Sequence, residues 1–440
     1  MNNFLKVLRA CCLCVLSCHL SIAQEAKAAA ASGNAGERLQ MVIILSRHGV
    51  RSPTWTDARL NSYSALPWPK WSVPPGNLTS RGYELVRLFG NFDRMSLART
   101  GIMTAHGCAD ATKTYVWADT DQRTMESARA LAQGFFPECP PPVHGLAVDE
   151  DDPLFHLNGN GTKLPDIQPL IAQLQAKVQE QSTAQQRELL AGMQHVLLGC
   201  AAEVLCAPAH APLLPFDAPV TIVKGREDHI VDVKGQLAQA ASFAEDFLLE
   251  YADGMPMEQV GWGKVDEPRI KKFLALHSDY FNLMYRTPQL ARLNASNLLD
   301  HILLTLDQAV TGQPVAGAIG KPGDKVVILM GHDTNLAAVA SLLNLTWIAD
   351  GRTNDTPPGA ELRFLLFRDQ HGRFRIQLNY AVQTLRQMRE ITPLNLRNPP
   401  VQVQLVLPSC FSTNGLCSWE KFSSGAASAI DPAWVVSSSY

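Results

Sequence analysis

Three short apolar runs constrain this chain more than any other feature: residues 41–45 (MVIIL), 114–118 (TYVWA) and 326–330 (VVILM). Each is β-branched or aromatic and lacks clean polar alternation, as a strand covered on both faces requires. Each breaks into polar residues. The first is followed by SRHGVRSPT; the second by DTDQRT and then the helical pattern MESARALAQGFF; the third by GHDTN and then LAAVASLL. Strand, polar turn and helix in succession predict an α/β fold with a sheet sandwiched by helices. Ligands of such sheets bind beyond the carboxyl ends of the strands. Those ends carry Arg47, His48 and Arg51, then Arg123, then His332 and Asp333.

Between the second and third runs the pattern changes. Ile167, Leu170, Ile171, Leu174 and Val178 recur at helical spacing, as do Phe243, Phe247 and Leu248. The expected division is a first α/β part at 38–150, a mostly helical insertion at 151–285 and a second α/β part at 286–440. Strand signals return near 362–367 and 374–378, after a turn at 356–359 (TPPG).

The first residues predict a signal peptide at 1–23. Lys6 and Arg9 form a basic start, 10–22 an apolar stretch, and Ser21 and Ala23 the small residues before cleavage. A flexible segment at 24–37 follows, and the destination is the periplasm or the medium. The rival reading is a lipid anchor at Cys18. No later run reaches 18 apolar residues, so no membrane span is expected. A formal charge of −3 gives no reason to expect a nucleic-acid partner; the chain is expected to act as a monomer. Beyond the leader stand six cysteines, Cys108, Cys139, Cys200, Cys206, Cys410 and Cys417. An even number in an exported chain suggests disulfides. Nearness favours Cys200–Cys206 and Cys410–Cys417, leaving Cys108–Cys139; the alternative is that some remain free thiols in the core.

The polar residues at the three strand ends suit phosphate chemistry. Arginine offers a planar fork of donors to phosphate oxygens. A neutral histidine can attack phosphorus and form a covalent intermediate, and a carboxylic acid can protonate the departing oxygen. His48 is thus the expected nucleophile; Arg47, Arg51 and Arg123 bind phosphate, with Thr54 adding a hydroxyl. His332 donates to the phosphate, and Asp333 is the general acid that later activates water. Because Asp333 must be protonated when the ester oxygen leaves, and an ordinary aspartic acid titrates near pH ~3.9, turnover should favour acid. An Arg-His-Gly alone also ends ordinary strands; three such motifs together point to function. His106, His144, His156, His195, His210, His229, His301 and His371 lack metal-ligand spacing and read as surface or satisfied core residues. No metal or other cofactor is expected.

RHGVRSPT, DTDQRT and GHDTN resemble the motifs of the histidine acid phosphatases, the branch of the histidine phosphatase superfamily that hydrolyses phosphomonoesters. The likeness runs from about residue 41 to 417 and includes WPKW at 68–71, LTSRG at 78–82, DTPPG at 355–359 and TLRQMR at 384–389. Within that family the chain is most similar to bacterial periplasmic phytase/acid phosphatase, with the glucose-1-phosphatase group as a near relative. The resemblance implies the histidine phosphatase fold, a phosphohistidine on His48, proton donation by Asp333, no metal cofactor and the three cysteine pairs above. It places His277, Thr334 and Trp55 on the substrate side. Trp55 and Asn294 stand where phytase relatives carry cations. Losing two exposed contacts costs up to about 1 kcal/mol each toward a polyanion such as phytate, while Trp55 could stack on a leaving group. The expected activity is therefore phosphomonoester hydrolysis first and phytate hydrolysis second. Alternatives are a sugar phosphatase of glucose-1-phosphatase type, a mutase sharing the Arg-His-Gly site, or a non-catalytic phosphate-binding protein.

Overall fold

The computed structural model describes residues 36–148, 150–156, 166–180, 183–199, 218–225, 229–408, 410, 415–437 and 440. The expected leader, the Cys18 anchor and the pair Cys200–Cys206 lie outside the described residues. The chain opens with β1 (Arg38–Arg47), α1 (Asp57–Asn61), α2 (Ser80–Arg99), β2 (Thr114–Ala118), α3 (Gln122–Phe135) and β3 (Val143–His144). A mostly helical stretch follows: α4 (Gln168–Glu180), α5 (Ala184–Leu198), the hairpin β4 (Thr221–Lys224) and β5 (Val231–Lys234), α6 (Gln236–Ala252) and α7 (Glu267–Met284). Helix α8 (Pro288–Thr311) leads back to β6 (Val326–Gly331) and α9 (Asp333–Leu342). The rest comprises the short pair β7 (Ile348–Ala349) and β8 (Arg352–Thr353), then β9 (Glu361–Arg368), β10 (Phe374–Val382), α10 (Leu385–Glu390), β11 (Val401–Leu405), β12 (Cys417–Ser418) and α11 (Trp419–Ala429).

The main sheet runs β11-β10-β9-β1-β6-β2-β3, with β12 also on β10. Strands β1, β6, β2 and β3 are parallel; β9, β10 and β11 join antiparallel. Arg47 lies opposite Gly331 and Ala118 opposite Met330, so the three polar segments emerge side by side at one sheet edge. The central strands are apolar on both sides because both sides are covered. Val42 and Ile44 pack with Val86 and Phe89 of α2 and Leu131 of α3. Ile43 and Leu45 belong to the opposite core with Leu298 and Ile302 of α8 and Leu336 of α9. Each such side chain contributes about 1.5–3 kcal/mol on burial. A third core, built on Phe243, Phe247, Met193 and Leu276, joins α5, α6 and α7 beside the sheet edge.

Local signals set the helix starts. Thr79 caps α2 by accepting from the Gly82 N–H, and Asp266 caps α7 ahead of Pro268. The β4–β5 hairpin and β11 carry no apolar run in the sequence: β4 and β5 are four residues long and half exposed, and β11 reads VQVQL. Cys108–Cys139 and Cys410–Cys417 are disulfide-bonded. Among the described residues, no helix is long and apolar enough to cross a membrane.

Candidate active site

The loop after β1 is pinned from several sides. His48 N–H donates to the Gly331 carbonyl (3.0 Å), Gly359 N–H to the His48 carbonyl (2.9 Å), and Gly49 N–H to Ser127 Oγ (2.9 Å). The loop also rests on the start of α2, and two glycines permit that. A Cβ on Gly49 would lie 2.7 Å from the Gly82 carbonyl oxygen, and one on Gly82 only 2.1 Å from that of Val50. His48 is buried, with Nδ1 2.8 Å from the Gly49 carbonyl. A carbonyl only accepts, so Nδ1 carries the proton and Nε2 keeps a lone pair. Burial, then Arg47, Arg123, Arg51 and His332, hold the imidazole well below its ordinary value of 6.5. The ring is therefore held neutral, with one nitrogen unprotonated.

Around it stand three arginines. Arg47 Nη1 donates to the Thr356 carbonyl (2.7 Å); its Nη2 pairs with Asp333 Oδ2 (2.7 Å) and with Glu245 Oε1. Arg51 Nη2 lies 2.9 Å from Glu245 Oε2, and Arg123 Nη2 lies 2.5 Å from Asp121 Oδ2. Glu245, on α6, thus bridges two arginines. Burial pushes its carboxyl up, but Arg51, Arg47 and His277 pull it well below the usual carboxylate range. The Nε atoms of Arg47, Arg51 and Arg123 are buried, and none has an acceptor among the described residues.

The other strand ends complete the rim. His332 caps α9, its N–H donating to Asn335 Oδ1 (2.8 Å), and Asp333 opens the helix, accepting from Thr334 N–H (2.8 Å). The start of a helix favours negative charge, so a phosphate there gains from α9 as well as from the arginines. His332 Nε2 lies 2.5 Å from Asp119 Oδ2, and His156 Nε2 lies 2.7 Å from the same oxygen. Burial raises the Asp119 carboxyl, yet these two imidazoles draw it far below the ordinary range. Burial lowers His332, as do Arg123 and His156, against the opposing pull of Asp119. The rings of His48 and His332 meet edge-on, 5.6 Å between centroids.

The strand-end residues His48, Arg47, Arg51, Arg123, His332 and Asp333 are brought together. Thr54 lies at the exposed end of the loop, near Gly76 and Arg123. Thr334 stands next to Asp333 at the start of α9, its side chain partly exposed. His277 is buried against Phe281 (4.2 Å between rings), within reach of Glu245 and Asp333. Trp55 packs on Phe243 (5.7 Å), and the Arg59 guanidinium covers its ring at 3.6 Å, so that face is already occupied. Asn294 turns back on its own helix, donating to the Leu290 carbonyl (2.9 Å).

Three participants escaped the sequence reading. Asp119 opens the DTDQRT segment but was overshadowed by Arg123. Glu245 sits in an ordinary amphipathic helix, with nothing local to mark it. His156, expected as a surface or satisfied core residue, instead shares Asp119 with His332; a single histidine in a loop gives no sign of that. Among the described residues, two groups have donor atoms close enough for a metal ion, Asp119, Asp121, His156 and His332, and Glu245, His277 and Asp333. Their carboxylates are already engaged: Asp119 by two imidazoles, Asp121 by Arg123, Glu245 and Asp333 by Arg47.

The family described as histidine phosphatase superfamily (branch 2) matches residues 38–381. Phytase AppA of Escherichia coli (strain K12) is 33% identical over 402 residues, 88% of this chain and 90% of that protein. A glucose-1-phosphatase of Salmonella typhimurium is 29% identical over 401 residues, 88% of this chain and 91% of that one. Among solved structures, the Hafnia alvei phytase in complex with tartrate superposes with a TM-score of 0.81 at 33% identity, covering 92% of this chain and 100% of its own. With the sheet, the pinned histidine and the family match in agreement over most of its length, this chain belongs to branch 2 of the histidine phosphatase superfamily.

Proposed function

We propose that the protein is an exported acid phosphatase that hydrolyses phosphate monoesters through a phosphohistidine on His48. The observation that carries this is a neutral imidazole with an Nε2 lone pair, set among three arginines whose buried Nε donors lack acceptors among the described residues. Arg47, Arg51 and Arg123 hold the phosphate oxygens, and His332 and Thr54 add donors. His48 Nε2 attacks phosphorus; the bond from phosphorus to the ester oxygen breaks, and Asp333 gives that oxygen its proton. Water then attacks phosphorus and passes a proton to the Asp333 carboxylate, and the P–N bond breaks to release phosphate and neutral His48. Fixed cations around the transferring group supply charge stabilisation without reorganisation. Two disulfides support an exported destination, periplasmic or secreted.

Phytate falls within this substrate class, as the names of the Escherichia coli and Hafnia alvei relatives suggest. A sugar phosphatase of glucose-1-phosphatase type is the second reading, favoured by Asn294 being turned onto α8 and Trp55 being covered by Arg59. Phosphate release from p-nitrophenyl phosphate, glucose-1-phosphate and phytate across about pH 3 to 8 separates the two. Turnover should favour acid, and His48→Ala should lower it by about a thousandfold or more on every substrate. Parental activity in that variant would remove the nucleophile. Asp333→Asn should cost about 10²–10⁴ on the two alkyl esters and less on p-nitrophenyl phosphate, whose leaving group departs without a proton. Equal losses on all three would remove Asp333 as the acid.

A further inference from the structure

Behind the loop that carries His48, on the α2 side of the sheet, three charged side chains are buried together: Asp93 from α2, and Glu361 and Arg363 from β9. Arg363 Nε and Nη2 both reach Glu361 Oε2, at 2.7 and 2.6 Å, and the same Nη2 pairs with Asp93 Oδ1. The remaining carboxyl oxygens, Glu361 Oε1 and Asp93 Oδ2, are buried with no donor among the described residues. We propose that Asp93 and Glu361 hold one proton between them at neutral pH, and that this proton latches the His48 loop between α2 and β9. What the loop does rests on the phosphatase reading; the latch extends that reading to groups the substrate never touches.

The charges do not balance otherwise. Two carboxyl oxygens bound to one guanidinium nitrogen lie within two hydrogen-bond lengths of each other, and one cation offsets only one carboxylate. A second buried negative charge beside the first is costly, so carboxyls sharing a site in this way keep a proton. That proton also makes one unsatisfied oxygen a donor and the other its acceptor, so a single hydrogen serves both. Burial, and then Asp93, push the Glu361 carboxyl well above its ordinary range against the pull of Arg363, and the two carboxyls are in hydrogen-bonding contact. Burial raises Asp93 as well, to about 6, against Arg363 and the hydrogen bond with Glu361. The proton therefore sits on Glu361 and is donated toward Asp93.

The groups packed around the pair do not supply a second cation. From α2 comes Phe89, its ring 5.5 Å from the Arg363 guanidinium; from β1, Ser46 opposite Glu361. From β10 come Asn379 opposite Arg363 and Ala381 opposite Glu361, and from β11 Gln402, with Oε1 3.5 Å from Arg363 Nη1. All of these are uncharged. Arg94, next to Asp93, is turned to the carbonyls of Thr104, Phe135 and Gly107, and Arg47, next to Ser46, to Asp333 and Glu245.

The cluster joins the two elements that grip the loop. On one side Thr79, the cap of α2, donates its N–H to the Val50 carbonyl (3.0 Å). On the other, Gly359 N–H donates to the His48 carbonyl and Arg47 N–H to the Ala360 carbonyl, both at 2.9 Å, and Glu361 is the next residue. A carboxyl raised in the folded state adds stability that is complete below its unfolded value and is lost as pH rises through the folded one. The latch is thus closed in acid and at neutrality and opens in alkali, when a second buried carboxylate charge drives α2 and β9 apart.

The test compares the full chain with Glu361→Gln, in which an amide N–H stands permanently in place of the carboxyl proton. Inorganic sulfate, whose charge is fixed over the range, probes the site from about pH 5 to 9. At about pH 5 the variant should bind sulfate and turn over p-nitrophenyl phosphate within about twofold of the parent. In the parent, protection of the Arg47 and Gly359 amides against hydrogen exchange should drop by about tenfold or more on the alkaline side; in the variant it should hold. The alkaline fall in sulfate affinity should move up with it, by about one pH unit. Unchanged exchange and affinity profiles would overturn the latch. An infrared difference spectrum between parent and variant at neutral pH reads the proton itself: a protonated-carboxyl band in the parent supports it, and its absence refutes it. Should Glu361→Gln fail to fold, carboxyl-carbon NMR of glutamate-labelled protein decides, with Glu250→Gln removing the other raised glutamate. One glutamate carboxyl still protonated at neutral pH supports the proposal, and none refutes it. Exchange and spectra need no turnover, so their outcome is separate from that of the phosphatase reading, which His48→Ala tests.

Discussion

Two neighbours on α6, Glu245 and Asp246, live in opposite environments. Glu245 reaches the rim, where Arg47 and Arg51 grip both its oxygens and hold its carboxyl well below the ordinary range. Asp246, one residue on, is turned into the interior with 5% exposure; burial, and then the charge of Glu245, lift its carboxyl well above the ordinary value. Glu250, a turn later, follows Asp246: fully buried, it accepts from the Gly261 N–H (2.9 Å), and burial raises it strongly. One helix thus presents a charged carboxylate to the site and keeps carboxyls among the apolar residues of the helical core. Burial alone does not make a carboxylate a site residue; the cations opposite it do.

The largest effect expected from this contrast comes from neutralising each neighbour in turn. Glu245→Gln leaves Arg47 and Arg51 buried with one carboxylate fewer, which should destabilise the fold by about 3–5 kcal/mol. The freed guanidinium groups should at the same time bind inorganic phosphate about threefold to tenfold more tightly. Asp246→Asn should leave stability at neutral pH unchanged or raise it, because the folded state already favours the uncharged form. Urea unfolding of the two variants, with phosphate inhibition constants, checks both halves. If the two substitutions moved stability alike, the contrast would be broken.

A smaller effect appears in pH. Asp246 and Glu250 have folded values raised above their unfolded ones, as does Asp152, pushed up to about 6. Such groups add stability that is complete below the unfolded value and is lost as pH rises through the folded one. Glu245 and Asp119 are depressed, so their contribution is present above the unfolded value and is lost only as pH falls toward their much lower folded values. Together these signs place greatest stability in mild acid. The unfolding free energy from urea titration at about pH 5 should exceed that at pH 7 by a margin on the order of 1–3 kcal/mol. Asp246→Asn combined with Glu250→Gln should flatten that slope. A midpoint that rises from pH 5 to pH 7 would show that the interior carboxyls are not the controlling groups.

The same contrast explains what was legible in advance. His48, Arg123, His332 and Asp333 stand immediately after strands whose apolar runs are unmistakable, and parallel register carries those ends to one edge whatever the intervening chain does. The α/β sheet was readable for the same reason, since burial on both faces leaves no polar alternation. Glu245 was not readable. Its distance from Arg47 is fixed by how α6 docks beside the sheet, and the sequence FAEDF says only that a helix is amphipathic. His156 depends likewise on the course of the loop following β3, where Asn335 Nδ2 donates to the Phe155 carbonyl (2.9 Å). The hairpin β4–β5 was missed because strands so short and half exposed need only backbone pairing, which leaves no periodic trace.

The smallest predicted effect lies at the mouth, where the helical core and the rim meet. Trp55 rests on Phe243 and Tyr63 of that core and carries the Arg59 guanidinium over its ring. A cation over an exposed indole contributes about 0.5–1 kcal/mol, so Arg59→Ala should lower stability by no more than that. The substitution also uncovers an aromatic face beside the phosphate loop. An aromatic leaving group could then stack where the guanidinium lay, and KM for p-nitrophenyl phosphate should fall by about twofold to threefold. KM for glucose-1-phosphate, which has no ring to stack with the same strength, should stay within error. A rise in both constants would mean that Arg59 works as a rim cation for the substrate and not as a cover for Trp55, which would extend the cationic rim outward from the three arginines onto α1.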